Sequence, residues 1–421
     1  MKDNLNILVA FPYPSGSGLH VGHFYNYAII DSYCKYKKYL GNSVFQPFSC
    51  DSYGLPAELY AQKIGGNAKE ITYQNIDNFK KQMLAMDTQY EWFPNTSDEI
   101  YTKSTQKLFT LLKEKDLAFK DFREQDYCPS CKTTLAREQV VEEKCDRCKI
   151  KTEKKKLNQW FFRITDYKER LIKDLQTVDY PQKTIRQQTH WLENLTDWCV
   201  SRQRKWGCPI PIGNEEDTLD TFVDSSYYFL RYFDAFNEQE IFEKFKPKQY
   251  DLYVIGNEHS CQHLIFARFM TKVLFDAGYI DFEEPFKKVI HQGMILKDNQ
   301  KMSKSLGNTI SPDNYDQGHL RFYLMFIGHY FDGGSFNDNN FKGIPRFVNK
   351  MKVWLSKVGE EEIDIKEFKK KIFQYTEDFK FNKVVSEWMI LLNQNKGKSL
   401  TQEQIKDLIG LLQIYIPNFE I

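Results

Sequence analysis

Two short strings place cations and hydrogen-bond donors in patterns that suit a nucleoside triphosphate: His20-Val21-Gly22-His23 near the start and Lys301-Met302-Ser303-Lys304-Ser305 far downstream. Asn6 to Phe11 is apolar and β-prone, Pro12 to Gly18 is rich in Pro, Gly and Ser, and Phe24 to Tyr39 has helical spacing of apolar residues. His20 and His23 are therefore expected where a strand feeds a helix. A helix start offers unpaired backbone N–H groups and the positive end of the helix dipole, so phosphate is its natural guest. Two imidazoles there can donate to phosphate oxygens, and Gly22 lets a nucleotide approach the backbone. Lys301 and Lys304 are point charges on long stems, suited to a phosphate that moves during reaction. Taken singly, the histidines read equally well as helix caps and the lysines as a solvated basic loop. Taken together and in this order, they point to ATP-driven activation of a carboxylic acid.

A second constellation is separate from the first. Cys128-Pro129-Ser130-Cys131 and Cys145-Asp146-Arg147-Cys148 are two C-x-x-C knuckles joined by a short charged segment that can return as a hairpin. Four thiolates at that spacing make a closed tetrahedral zinc site with no open position for water, so a metal held by Cys128, Cys131, Cys145 and Cys148 is structural. The surrounding Lys144, Arg147, Lys149, Lys151 and Lys154 to Lys156 could meet RNA phosphate or form a solvated face, since Glu142, Glu143 and Glu153 dilute the charge.

Further strings carry a family resemblance. Phe11-Pro12-Tyr13-Pro14-Ser15-Gly16, Asp51-Ser52-Tyr53-Gly54-Leu55-Pro56-Ala57-Glu58, Ser201-Arg202-Gln203-Arg204-Lys205-Trp206-Gly207, Asp220-Thr221-Phe222-Val223-Asp224-Ser225-Ser226, Gly256-Asn257-Glu258-His259 and Gln292-Gly293-Met294 follow one another between the two ATP strings or beside them. In this form and order the chain resembles the class I aminoacyl-tRNA synthetases, and within them the leucyl branch. The resemblance implies that His20, His23, Lys301 and Lys304 hold ATP and neutralise its α-phosphate as an amino-acid carboxylate attacks. It implies an adenosine pocket from Gly22, Gly256, Glu258, His259 and Met294. Asp51 then pairs with the substrate ammonium, while Phe11, Tyr13 and His263 wall the side-chain pocket. Mg²⁺ is implied by the phosphate chemistry, although no carboxylate cluster identifies its ligands. Outside the resemblance, Asp51 could cap a helix starting near Pro56, and His263 could be a satisfied core histidine on an apolar helix from Leu264 to Phe275.

The elements that must position these groups read as an α/β protein: a Rossmann-like parallel-sheet catalytic domain with an inserted zinc ribbon and a C-terminal helical bundle. Residues 1–120 form the first half of the sheet domain, 121–200 an insertion with the ribbon at 128–148, 201–318 the second half with the lysine loop, and 319–421 a linker and a truncated helical bundle. Strands are expected near Leu252 to Ile255 and Val289 to His291. Lys366 to Tyr375, Asn382 to Asn393 and Thr401 to Ile414 show amphipathic helical spacing. The 421 residues allow two to four domains. Five cysteines outside the knuckles are scattered without pattern, which suits a reducing compartment. The N-terminus carries acid early and enters a strand at once, and no apolar run reaches the length of a membrane span, so no signal peptide and no membrane partner are expected and the cytoplasm is the expected location. A net charge of +1 excludes bulk attraction to nucleic acid and leaves that work to local patches.

Two departures from the family qualify the function. Between His190-Trp191-Leu192-Glu193 and Ser201 only Asn194 to Val200 intervene, where most relatives carry a hydrolytic editing domain. The C-terminus also stops early, after Ile416 to Ile421, so contact with tRNA is expected to be weakened. The expectation is a monomeric leucine–tRNA ligase that activates leucine with ATP and transfers it to the 3′ end of tRNA(Leu), without its own post-transfer editing. The alternative is a paralogue that hands its adenylate to a carrier, peptide or amine, and after it a non-catalytic relative.

Overall fold

The computed structural model describes residues 3–135, 139–302 and 307–421. Its centre is a parallel sheet of four strands in the order Val289–Ile290, Leu252–Val254, Asn4–Val9 and Ser43–Phe45. Ile7, Leu8 and Val9 stand opposite Leu252, Tyr253 and Val254, and Asn4 to Asn6 opposite Ser43 to Phe45. In the middle strands Ile7 to Val9 and Leu252 to Val254 are apolar and buried, as a sheet covered on both faces requires.

Each outer pair of neighbouring strands is joined through a helix. Val21–Tyr39 links Asn4–Val9 to Ser43–Phe45, and Gln262–Asp276 links Leu252–Val254 to Val289–Ile290. The first begins on a histidine cap and ends with Lys37 and Lys38 in its last turn, where cations meet the negative end of the dipole. The two crossovers lead away from the central strand pair in opposite directions along the sheet. The order therefore reverses between Asn4–Val9 and Leu252–Val254, and the carboxyl ends of that pair are where an open α/β sheet places its ligand.

Between the halves runs an antiparallel insertion. Ala118–Cys128 pairs with Glu153–Phe162 along ten residues, from Ala118 opposite Phe162 to Tyr127 opposite Glu153. Thr133–Leu135 and Trp198–Cys199 flank this ladder on either side. The segment between the knuckles turns back as a short hairpin, Val140–Val141 against Lys144–Cys145. Helix Gln182–Glu193 and its approach are fastened to helix Gln262–Asp276 by buried charge: Arg268 makes a two-pronged contact with Glu284 at 2.7 and 2.9 Å and bonds Gln188 and the Leu171 carbonyl, while Lys272 meets Glu284 and Asp174.

A second small sheet carries the lysine loop. Met294–Lys297 pairs in parallel with Gly333–Phe336 and in antiparallel with Gln300–Lys301, through a two-residue turn in which Asp298 and Asn299 both have positive φ. Gly293 is required here, because a Cβ on it would lie 1.9 Å from the Gly333 nitrogen. Beyond it, helices Gln317–Phe326, Gly343–Leu355, Lys366–Glu377, Phe381–Asn395 and Gln402–Leu412 form the bundle. Their buried residues recur at helical spacing, as in Phe368, Ile372 and Thr376 or Ile405, Leu408 and Leu412.

Arg321 joins the bundle to the sheet domain. It is fully buried, contacts Asp31 at 2.5 Å and Ser32 at 2.7 Å on the first crossover helix, and donates to the carbonyls of Tyr415 and Met86. Asp31 also pairs with Lys35 at 2.7 Å, so removing Arg321 leaves the buried carboxylate one cation instead of two, and Arg321→Met is expected to lower unfolding free energy by about 3 kcal/mol in urea denaturation, the low end for breaking a buried pair. A loss under about 1 kcal/mol would show that the pair does not join the two parts.

Candidate active site

The sequence-expected residues gather at the carboxyl ends of the central strands. The chain leaves Asn4–Val9 as Ala10-Phe11-Pro12-Tyr13, and the Ala10 amide donates to the Val254 carbonyl at 2.9 Å. The Asp51 amide donates to the Pro12 carbonyl at 3.2 Å, which brings the chain that follows Ser43–Phe45 to the same edge. Asp51 is 3% exposed. Its Oδ1 accepts from Thr221 Oγ1 at 3.2 Å and Thr96 Oγ1 at 3.4 Å. Burial pushes the Asp51 carboxyl up to about 7, against the pull of the Thr221 and Thr96 hydroxyls and with added repulsion from Asp220; no cation contributes. The helix that follows, Leu55–Ile64, starts on Gly54 without any side-chain cap, so Asp51 is not its cap.

Beside Asp51 lies an aromatic wall. Phe11 stacks on Tyr228 with ring centres 4.5 Å apart and is flanked by Phe48 and Tyr232. The Tyr228 hydroxyl meets that of Tyr253 at 2.6 Å, and the Tyr253 hydroxyl meets His263 Nε2 at 2.9 Å. Burial, helped by nearby His259, pulls His263 down to about 3, so the ring is neutral across the physiological range. Tyr13 lies with its ring centre 6.4 Å from that of His259. His263 is thus hydrogen-bonded and buried, and it also faces the ring of Tyr228 in the wall.

His20 caps the first crossover helix: its Nδ1 accepts from the Gly22 amide at 3.1 Å, and His23 Nδ1 accepts from the His20 amide at 3.2 Å. Both Nδ1 atoms act as acceptors, so in the neutral rings the proton sits on Nε2 and each imidazole is an Nε2–H donor. Gly22 first makes room for its own motif, since a Cβ there would lie 2.8 Å from His20 Cε1. The same Cβ would lie 3.7 Å from Met302 Cε, which brings the two ATP strings together. The Val21 amide donates to the Ile310 carbonyl at 3.0 Å, and Gln82 accepts from Leu19 while donating to Asp313. Lys301 is exposed on its strand, and Lys304 lies outside the described residues.

Asn257–His259 forms a short turn immediately after Leu252–Val254. The Glu258 carboxylate folds over Gly256, where a Cβ would sit 2.5 Å from both oxygens. Burial lowers His259 against the opposing effect of Glu258. Met294 is 46% exposed on its strand edge. Several residues were not singled out from sequence. Thr96 and Thr221 hold Asp51, Tyr228 and Tyr253 complete the wall, Gln82 links the two ATP segments, and His291 donates from Nδ1 to the Ile255 carbonyl at 2.8 Å while Nε2 meets Thr184 at 2.6 Å. Their type and spacing carry no signal of their own; only the Thr221 position inside the Asp220-to-Ser226 string could have been noticed.

The four knuckle sulfurs all lie within 4.8 Å of one another. Sulfurs bound at about 2.3 Å in a tetrahedron stand roughly 3.8 Å apart, so the set fits one zinc ion. Burial and then the neighbouring sulfurs raise the Cys131 thiol, which a bound cation would reverse. The Cys145 carbonyl accepts from the Lys149 amide at 2.9 Å and Cys128 Sγ from the Cys131 amide at 3.3 Å, closing the knuckle turns.

The family of class I tRNA synthetases for I, L, M and V matches residues 2–216, and that for class I M matches 138–351. The chain belongs to the class I tRNA synthetases. It is accordingly an aminoacyl-tRNA ligase. The leucine–tRNA ligase of Clostridium kluyveri is 29% identical over 99% of this chain and 85% of its own length, and one from Clostridium botulinum is 28% identical over 99% and 86%. The first match runs over 688 positions against 421 residues here, so that relative carries internal sequence without counterpart in this synthetase. Among solved structures, the ternary complex titled LeuRS-tRNA-LeuAMS from Agrobacterium radiobacter has a TM-score of 0.88 at 23% identity, covering 99% of this chain and 84% of that one. The Mycobacterium tuberculosis methionyl-tRNA synthetase with methionyl-adenylate has a TM-score of 0.77 at 17% identity, covering 99% and 92%. Both likenesses show the fold.

Two outcomes are expected from the synthetase. Purified protein carries about one zinc per chain by elemental analysis, and Cys128→Ser abolishes it; full zinc in that variant would break the four-sulfur assignment. Because Asp51 is protonated below about 7 in the free protein, affinity for an amino-acid ammonium rises as pH climbs to that value and then levels. Asp51→Asn flattens this profile and weakens amino-acid binding at least tenfold, read as KM in pyrophosphate exchange; a profile unchanged by the substitution removes Asp51 from the site.

Proposed function

We propose that this synthetase is a leucine–tRNA ligase. The observation that carries the reading is Asp51: a buried carboxyl with no cation paired to it among the described residues, held by two hydroxyls beside an aromatic wall. A free amino acid supplies what is absent, its ammonium to Asp51 and an apolar side chain to Phe11 and the rings around it. Its carboxylate then attacks the α-phosphorus of ATP, diphosphate leaves, and the Nε2–H groups of His20 and His23 with Lys301 and Lys304 take up the charge that develops on the phosphates. Gly256, Glu258 and His259 at the neighbouring strand end, with Gly22 and Met294, hold the adenosine. A terminal ribose hydroxyl of tRNA(Leu) next attacks the acyl carbonyl, the ester forms, and AMP leaves. Mg²⁺ bound with the nucleotide supplies further phosphate neutralisation. The leucine–tRNA ligases among the relatives support leucine over methionine.

The reading includes a lack of editing. Helix Gln182–Glu193 passes through Asn194 to Asp197 directly into Trp198–Cys199, whose residues pair with Phe162 and Phe161. One methylene is worth roughly 10- to 200-fold in an apolar pocket, so norvaline, one carbon shorter than leucine, is expected to be charged at that remove. The protein is proposed to act as a cytoplasmic monomer; among the described residues no helix is long and apolar enough to cross a membrane.

The test is leucine-dependent ATP–pyrophosphate exchange followed by transfer to tRNA(Leu), with His20→Ala and Lys304→Ala as site variants and norvalyl-tRNA as a hydrolysis substrate. Exchange and transfer in the wild type, exchange lowered at least 100-fold in each variant, and no enzyme-dependent hydrolysis are expected. Exchange without transfer favours the non-tRNA acceptor, and no exchange with any amino acid ends the reading.

A further inference from the structure

Helix Ala68–Ala85 presents three side-chain amides to the turn that leads into the double-histidine string. Asn75, Asn78 and Gln82 stand three and four residues apart, which places them along one side of the helix. Asn75 Nδ2 donates to the Pro14 carbonyl at 2.9 Å and Asn78 Nδ2 to the Ser17 carbonyl at 3.0 Å. Gln82 Oε1 accepts from the Leu19 amide at 2.7 Å, while its Nε2 donates to Asp313 Oδ2 at 2.9 Å. The approach to His20 is thus held at three points by one helix. A Cβ on Gly18 would lie 3.1 Å from Gln82 Nε2, so the turn runs close against that amide.

Gln82 differs from the two asparagines in holding a second segment as well. Asp313 lies in the short turn Pro312–Asn314, which Ser311 caps where the chain returns from the lysine loop. Ser311 Oγ donates to the same Asp313 Oδ2 at 3.0 Å. Three residues before Asp313, the Ile310 carbonyl accepts from the Val21 amide. The returning chain is therefore fastened on both sides of His20, to Val21 directly and to Leu19 through Gln82. The joint calls for a carboxamide, because the Leu19 N–H needs an acceptor and the Asp313 carboxylate a donor. Gln82 is 7% exposed, so an unmet group there is costly. A glutamate would set two carboxylates against each other, and an apolar side chain would leave both partners unmet. None of these bonds touches Asp51 or the aromatic wall.

We propose that Gln82 is a positioning residue for the ATP step, fixing the double-histidine helix start relative to the chain that returns from the lysine loop. The assignment rests on the ligase reading above, which seats ATP between those two strings, and adds what keeps them in place. Donors set before ATP arrives need no reorganisation when charge develops on the phosphates. A misplacement of about 1 Å in such a site costs on the order of 100-fold in rate.

The test measures leucine-dependent ATP–pyrophosphate exchange in the wild type, Gln82→Leu, Gln82→Glu, and a double variant combining Gln82→Glu with Asp313→Asn. Each single variant is expected to lower kcat at least tenfold and to leave the KM for leucine within twofold. The double variant exchanges donor and acceptor: the new carboxylate accepts from the Leu19 amide and from the new amide at position 313, and the Ser311 hydroxyl can accept where it donated. Its kcat is expected to return to within threefold of the wild type, a recovery that loosened packing of the helix would not give. An unchanged kcat in Gln82→Leu overturns the assignment. So does a double variant no faster than Gln82→Glu, or a fall in kcat matched by an equal rise in the leucine KM. A wild type without exchange for any amino acid overturns the ligase reading and this assignment with it, whereas an active wild type beside unaffected variants overturns this assignment alone.

Discussion

The ladder between Asn4–Val9 and Leu252–Val254 is the constraint on which the rest depends. It joins segments about 245 residues apart, and its parallel direction brings both chains out at the same edge. Phe11 and Tyr13 leave one strand and Gly256 to His259 the other, so two unrelated stretches of sequence line one cleft. Closing such a loop is entropically unfavourable and contributes only when buried surface rewards it. Here the reward is a run of fully buried residues, Leu8, Val9, Tyr253 and Val254, covered by the crossover helices. The ladder also explains why the insertion is tolerated: it departs from and returns to the sheet domain without crossing the central strand pair.

Buried charge is treated in two opposite ways. Arg268 with Glu284 and Lys272, and Arg321 with Asp31, are compensated groups that tie helices to one another. Asp51 and Asp224 are not compensated. Asp224 is fully buried, its Oδ1 accepts from Thr105 at 3.0 Å and its Oδ2 has no hydrogen-bond partner, and burial followed by repulsion from Asp51 raises its carboxyl far above the ordinary range. Two neighbouring carboxyls with no cation paired to them among the described residues share little negative charge, Asp224 holding its proton, so a cation arriving at Asp51 is what favours its ionised form. Perturbed acids in a cleft mark function for this reason. The compensated clusters tie the surrounding helices to one another.

Much of this was legible in the sequence because it is local. The strand Asn4–Val9 and the helix Val21–Tyr39 lie within a few residues of the expected Asn6 to Phe11 and Phe24 to Tyr39, and the bundle helices Lys366–Glu377 and Phe381–Asn395 follow the amphipathic spacing closely. The cysteine knuckles were legible because ligand spacing is itself a local signal, and their sulfurs do converge. What remained hidden is non-local. The hydroxyls of Thr96 and Thr221 come to Asp51 from 45 and 170 residues away, and Gln82 reaches Leu19 and Asp313 across 63 and 231. Gly22 shows a different limit: the residue type pointed to close approach, and the nearest atoms turned out to be the His20 ring of its own motif.

Specificity in this architecture has to come from the rigidity of the wall. A neutral His263, fixed at both ring nitrogens by Tyr253 and Ser225, cannot change charge to admit a polar side chain, and its chain of hydrogen bonds continues to Tyr228, on which Phe11 is stacked. Shifting any one of these rings disturbs a buried hydroxyl, so the pocket resists widening more than an aliphatic one would. It has less purchase against a substrate that is merely shorter, because a missing methylene leaves a gap and breaks no hydrogen bond. The connection Asn194 to Val200 therefore matters to selection as well as to shape. With its C-terminal part spent on the strand Trp198–Cys199 and the buried start of Ser201–Arg202, this connection is held to the insertion ladder, and under the proposed reading discrimination rests on the first binding step.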